Sequence, residues 1–263
     1  MPHIKPDAGG LDNNLRMPSL WAIVAYEERT YREWVRAEGF VRSRAVVEET
    51  DLLVLAPCDV SHRAGQLALE AREEILSYIR RDEAFRTALS PHATLPDAPP
   101  IAQRMAKSAA LFGVGPMAAV AGAVAEQVGQ ALAEEFKEVV IENGGDIFVS
   151  TPRPVVFGFF AGENSPFTGT LRFRVTGVHR TYGVCTSSGT VGHSLSFGRA
   201  DAVCVLCKSA ADADAAATAL ANRVQKADDV GRVVEEAQGH RSILGIIAAK
   251  GDRIGLWGDI EII

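Results

Sequence analysis

Hydrophobic positions along the chain recur with two different periods, and the change between them falls near Glu138. Before it, Tyr31 to Arg36 and Val41 to Ala56 read as strands joined around Gly39, the second ending in the apolar run Leu52-Leu-Val-Leu55. Asp59 is placed to cap a helix along which Leu67, Leu69, Ile75 and Ile79 recur, while Glu70, Arg72, Glu73 and Glu74 supply a polar side. Four prolines between Ser90 and Pro100 predict a loop. A short helix is expected from about Ile101, and Gly115-Pro116 opens a longer one reaching about Lys137. Proline suits that first turn, where its missing N–H would lack a partner anyway.

Beyond Glu138, Val139-Val-Ile141, Ile147-Phe-Val149, Val155 to Phe160 and Leu171 to Val175 read as strands, with Asn143-Gly144-Gly145 as a tight turn. A glycine-rich segment follows, then a strand over Ala202 to Cys207 and a helix from about Ala210 to Val224. A helix over Val230 to Gln238 and a terminal pair of strands around Gly251 close the chain. Strands and helices come in runs without strict alternation, which predicts an α+β fold with mixed or antiparallel sheets packed against helices. Residues 1–20 read as a flexible polar arm and 21–263 as a single domain, since no linker long enough to force two domains occurs.

Composition narrows the function classes. Hydrophobic residues make up 47% of the 263, as in an ordinary globular protein. The formal net charge is −6, and no basic stripe occurs that could neutralise a run of phosphates, so nucleic acid is not an expected partner. The longest uncharged stretch, Ser108 to Ala125, is broken by Gly113, Gly115 and Pro116 and reads as buried helix, not membrane span. The N-terminal residues carry neither a basic start with an apolar stretch nor a lipid-attachment cysteine, and four cysteines suggest a reducing compartment. The expectation is a cytoplasmic protein with no membrane partner.

Candidate chemistry concentrates in Tyr182 to Gly198, where hydroxyl side chains, a thiol, an imidazole and four glycines occur with almost no charge. Such a segment is expected to present N–H and hydroxyl donors to an anion and not to build a core, with Thr186, Ser187, Ser188, Gly189 and Thr190 contacting a small nucleotide. Cys185 is a candidate nucleophile, because a thiol in an N–H-rich loop can have a lowered pKa, and His193 lies eight residues on. Asn143, Gly144, Gly145 and Asp146 form a second place where backbone could meet a ligand. Asp214 and Thr218, four apart on a predicted helix, share a face and can offer two oxygens to Mg²⁺, whose remaining ligands would be waters and phosphate. Cys204 and Cys207 lie on opposite faces of an apolar strand and read as core.

Taken in order, Glu142-Asn-Gly-Gly-Asp146, a hydroxyl and glycine segment ending in a histidine, a strand, and Ala213-Asp214-Ala-Ala-Ala-Thr218-Ala-Leu220 resemble the ApbE-like superfamily. Its best-known members are FAD:protein FMN transferases. The chain is more similar to a cytoplasmic, poorly characterised branch, marked by Gly115-Pro-Met-Ala-Ala-Val-Ala-Gly122 and Cys185-Thr-Ser-Ser-Gly-Thr-Val-Gly-His-Ser194, from about Trp34 to Val224. The resemblance implies an ApbE-like fold, with FAD held by its pyrophosphate on a divalent metal. In the transferases a threonine hydroxyl of an acceptor protein attacks that linkage, so FMN is transferred and AMP leaves. By the same resemblance Asp214 and Thr218 match metal-binding positions, Gly144 and Gly145 match the flavin-contacting turn, and His193 sits near the family's histidine. Transferases follow that histidine with Asp-Pro-x-Thr-Gly, where this chain has Ser194-Leu-Ser-Phe-Gly198.

The leading expectation is an Mg²⁺-dependent protein acting on FAD or a related nucleotide, by FMN transfer or pyrophosphate cleavage, with an acceptor protein as a possible partner and a homo-oligomer possible. Two alternatives stand beside it. One is a thiol role for Cys185 in sulfur or homocysteine metabolism, which the resemblance to that branch implies. The other is a non-catalytic nucleotide-binding accessory protein.

Overall fold

A computed structural model describes residues 39–163, 165–177, 179–189 and 197–263. The arm over 1–20 and the strand expected over Tyr31 to Arg36 lie outside the described residues, as do Thr190 and His193.

The expected strand over Val41 to Ala56 is a hairpin, β1 (Val41–Val47) and β2 (Thr50–Ala56), turning at Glu48-Glu49 with Glu48 at φ 51°. No Asn-Gly or Asp-Gly pair announces this turn, so the pattern alone ran the two strands together. Of the acidic cluster Glu48, Glu49 and Asp51, which by sequence reads as a solvated turn, Asp51 is instead buried and takes two hydrogen bonds from Arg44, at 2.9 and 3.0 Å. Helix α1 (Ser61–Arg81) follows, with Asp59 just outside the cap position accepting the Ser61 N–H at 2.9 Å. Leu67 and Ile75 bury its apolar side, whereas Leu69 stays exposed.

After the short α2 (Glu83–Thr87) come α3 (Pro100–Phe112), a 3-10 turn (Pro116–Ala119) and α4 (Val120–Glu135). Among the described residues no single helix is long and apolar enough to cross a membrane, and α3 and α4 bend apart by 103° at the glycines and proline between them. The strands are β3 (Val139–Asn143), β4 (Asp146–Ser150), β5 (Val156–Gly158), β6 (Arg172–Val175), β7 (Thr181–Ser187) and β8 (Ala202–Cys207). Then come α5 (Ala210–Ala221), α6 (Asp229–Gln238), β9 (Ile243–Lys250), β10 (Arg253–Gly258) and β11 (Ile260–Ile262).

Eight strands form one sheet in the order β1-β2-β3-β4-β7-β8-β9-β10, every neighbour antiparallel. A second sheet, β11-β6-β5, lies on one face of it and the helices on the other. The large sheet is therefore covered on both sides, which is why β8 reads as an unbroken apolar run. Val203, Val205 and Cys207 join the helical core, while Ala202, Cys204 and Leu206 join the core shared with the small sheet. Strand β11 had no sequence signal of its own; its register on β6, Ile260 opposite Val175, is a tertiary choice.

One expectation fails. The first half of the glycine and hydroxyl segment does build core, for Thr181–Ser187 is a central strand with Tyr182, Val184 and Cys185 buried. Its small side chains serve packing. A Cβ on Gly183 would fall 2.3 Å from Ala210 Cα, and one on Gly122 of α4 would fall 2.3 Å from the Ala210 carbonyl oxygen. Helix α5 is thus wedged between a strand and another helix, with nine of its twelve residues buried. Alanine all round is what such a position requires.

Because backbone and not a flexible side chain blocks both places, Gly183→Ala is expected to destabilise the protein by about 1–3 kcal/mol. Urea denaturation checks this, as would a Gly113→Ala control that loses stability only through its positive φ, since a Cβ there meets nothing within 4 Å.

Candidate functional site

At one end of β3, β4 and β7 the chain gathers most of the residues singled out above. The β3–β4 hairpin closes on Gly144 and Gly145, with φ of 68° and 101°, so Asn143 faces Asp146 across a two-residue turn. Such angles are open to glycine and strained for other residues. Glu142, the first residue of the Glu142-Asn-Gly-Gly-Asp146 motif, is buried and accepts the Gly145 N–H at 2.8 Å. Asn143 is buried as well, and its amide donates to the Ala121 carbonyl at 3.1 Å, tying the turn to the first turn of α4.

Strand β7 pairs alongside, with Cys185 opposite Asp146 and the Thr186 N–H donating to the Gly145 carbonyl at 3.2 Å. Alternation then splits the hydroxyl segment. Cys185 joins the core beneath the helices. Thr186 sits opposite Cys204, whose side chain belongs to the other core. Neighbours in a strand point to opposite faces, so Thr186 and Ser187 of β7 face different sides of the sheet. Gly189 donates its N–H to the Ala200 carbonyl at 2.9 Å, closing the base of the segment.

Asp214 and Thr218 both lie half-buried on α5, one turn apart. The Asp214 carboxylate accepts the Gly122 N–H at 2.9 Å and also bonds the Ala121 N–H, so it caps α4 from another helix. The favour is returned. Glu126 of α4 accepts the Ser209 hydroxyl at 2.7 Å and the Ala211 N–H at 3.1 Å, both at the start of α5. Sequence reading missed Glu126, although it is the first charge after the long uncharged stretch.

Burial dominates the electrostatics. It pushes Asp214 from an ordinary 3.8 up to about 7, against the pull of the two N–H groups. Burial also drives the Cys185 thiol well above its usual range, and the charges of Asp146 and Asp214 drive it further. Cys185 is fully buried and donates to the Ala210 carbonyl at 3.3 Å. A nucleophile needs an accessible thiolate, and this environment removes both access and charge. Cys185 thus lies in the core, without the exposure or charge that a reactive thiol needs. Asp146 stands opposite Cys185 in the strand register, and Asp214 of α5 is near enough for its charge to act on the same thiol.

The oxygen donors at hand, Asp146, Asp214 and the Thr218 hydroxyl, suit a small hard cation that takes one or two carboxylates and completes its shell elsewhere. Among the described residues no three His, Cys, Asp or Glu side chains gather to hold a metal by themselves.

Asp214 implies a pH dependence. Its folded-state pKa is raised, so its contribution to stability is complete below about pH 4 and is lost as pH rises through about 7. Unfolding free energy measured across this window is expected to fall more steeply in the wild type than in Asp214→Asn, which keeps a carbonyl acceptor for the α4 N–H groups.

Residues 32–248 match the family described as AbpE bacteria. A UPF0280 protein of Methanopyrus kandleri is 41% identical over 221 residues, covering 82% of this chain and 89% of its own. Another UPF0280 protein, from Methanocaldococcus jannaschii, is 40% identical over 226 residues, 83% of this chain and 91% of its own. In three dimensions the chain is similar to a mutant of flavin transferase ApbE from Vibrio cholerae, with a TM-score of 0.55 at 13% identity over 83% of this chain and 96% of that one. The likeness extends to the ApbE fold, and the chain belongs to the AbpE bacteria family, alongside the UPF0280 proteins.

Proposed function

We propose that this chain binds a flavin nucleotide together with Mg²⁺ and acts on its pyrophosphate, by FMN transfer to an acceptor or by cleavage of FAD. The observation that carries the reading is the convergence of Asp146 and Asp214 beside the Gly144-Gly145 turn, with the Thr218 hydroxyl one helical turn away. A place lined by carboxylates repels a bare pyrophosphate, and a divalent cation reverses that sign. Bound Mg²⁺ would neutralise charge on the phosphate oxygens during displacement. The side chains of Asp214 and Thr218, with Asp146, would hold it. The glycine turn brings backbone close to the ligand without a side chain in the way, and Glu142 fixes the turn from beneath.

The reaction is a displacement at the phosphorus on the flavin side of FAD. A hydroxyl, from an acceptor protein's threonine or from water, forms the new P–O bond and gives up its proton to solvent, and the bridging P–O bond breaks to release AMP. The likeness of fold to the flavin transferase of Vibrio cholerae supports this class. The burial of Cys185 speaks against a thiol reaction as the alternative.

Incubating the purified chain with FAD and Mg²⁺ is expected to release AMP and FMN, resolved by chromatography. Chelation of Mg²⁺ and Asp214→Ala should each lower the rate at least about 100-fold, the scale of several kcal/mol of lost charge stabilisation. Thr218→Val tests the hydroxyl while leaving the α4 cap in place. Saturable FAD binding with no AMP or FMN formed at any pH between about 6 and 9 would leave a binding protein and overturn the catalytic reading.

A further inference from the structure

Phe197 is the only exposed aromatic side chain among the described residues, with 60% of its surface open to solvent. Single exposed hydrophobics are common and ordinarily mean little. This one differs in how its backbone is held. Its N–H donates to the Asn222 side-chain oxygen at 2.8 Å, and its carbonyl accepts from the Gln225 amide at 3.0 Å. The next residue, Gly198, lies so close to α5 that a Cβ would fall 1.9 Å from the Ala221 carbonyl oxygen. Two polar side chains and a close backbone contact fix a residue whose large ring is nevertheless left in water.

Asn222 is the cap residue ending α5. Counting back by fours from Asn222 gives Thr218 and Asp214, so all three belong to one stripe of the helix. At the rise of an α-helix, Asn222 stands about 6 Å beyond Thr218 and about 12 Å beyond Asp214 along the axis. A sugar or ribityl linker separates a nucleotide's ring from its phosphates by a distance of that order. We propose that Phe197 is the stacking platform for the planar ring of a nucleotide whose pyrophosphate lies at the Asp214–Thr218 end. The inference rests on the nucleotide reading given above. A ring stacked on a pre-fixed phenyl group gains contact area at little cost in side-chain entropy, and every base and flavin has a π-face to offer.

Calorimetric titration of the full chain with FAD, FMN and ADP, each with Mg²⁺, tests it. Phe197→Ala and Phe197→Leu are both expected to weaken at least one of these ligands about 5- to 150-fold, the range of one aromatic stack. Phe197→Trp should keep the affinity and add a flavin-dependent quenching of tryptophan fluorescence beyond that of the wild type. Loss confined to FAD and FMN identifies the flavin ring as the stacked group, and loss confined to FAD and ADP identifies adenine. If Phe197→Leu, with an unchanged thermal midpoint, binds all three as the wild type does, the platform is overturned while the nucleotide reading stands. Failure of the wild-type chain to bind any of the three would instead overturn the nucleotide reading itself.

Discussion

Helices α4 and α5 meet so closely that Gly122 has no room for a side chain, and each begins on a carboxylate supplied by the other. Asp214 accepts the Gly122 N–H at the start of α4, and Glu126 accepts the Ala211 N–H and the hydroxyl of the cap residue Ser209 at the start of α5. A helix start leaves four N–H groups without intrahelical partners and carries partial positive charge. A buried carboxylate has the complementary problem, since it must be paired to be tolerated away from water. The exchange solves both at once, but only while the two axes stay close. Gly122 and the alanines of α5 permit that closeness, and Gly183 permits the same on the strand side. Loss of either carboxylate would leave buried N–H groups with nothing to bond.

The same exchange makes the candidate site. Because Asp214 is drawn to the start of α4, it comes to rest near the end of the sheet, where the β3–β4 turn delivers Asp146. One acid is thus placed by helix capping and the other by strand register. Neither depends on a loop, which is the kind of support a precise constellation needs. The burial that keeps the helices together also raises the Asp214 pKa and silences the Cys185 thiol. Packing and chemistry are here two consequences of one geometry. The overall fold, though not these particular side chains, is what the chain has in common with a flavin transferase at 13% identity.

Much of this was legible beforehand where the local signal was strong. Strand β8 begins and ends at the residues expected, because Ala202 to Cys207 is a continuous apolar run between polar neighbours. The opposed faces of Cys204 and Cys207 followed from the period of two, and one cysteine joins each core. The Gly144-Gly145 turn followed from the angles that only glycine enters readily, and α5 from its alanines. The acidic cluster at Glu48-Glu49 read as a turn, but its role as the break between two paired strands was missed, because two glutamates are not a hairpin signature. The end strand β11 was missed because three residues make too short a run to declare themselves. Glu126 went unnoticed because a lone acid in a helix looks like solvated surface until its partners are seen.

By itself, the order of side chains determined the elements, the α+β class, the turn that bears the glycines and the shared face of Asp214 and Thr218, since each follows from contacts within about one turn or one strand. Which residues stand opposite one another across the fold was decided by tertiary structure alone. It turned a segment rich in glycine and hydroxyls into a central strand, buried Cys185, and brought Glu126 to α5 from 83 residues away. The reason is physical: side-chain identity fixes what a residue can pair with, but burial and the approach of distant backbone decide whether that pairing occurs and what protonation state it leaves.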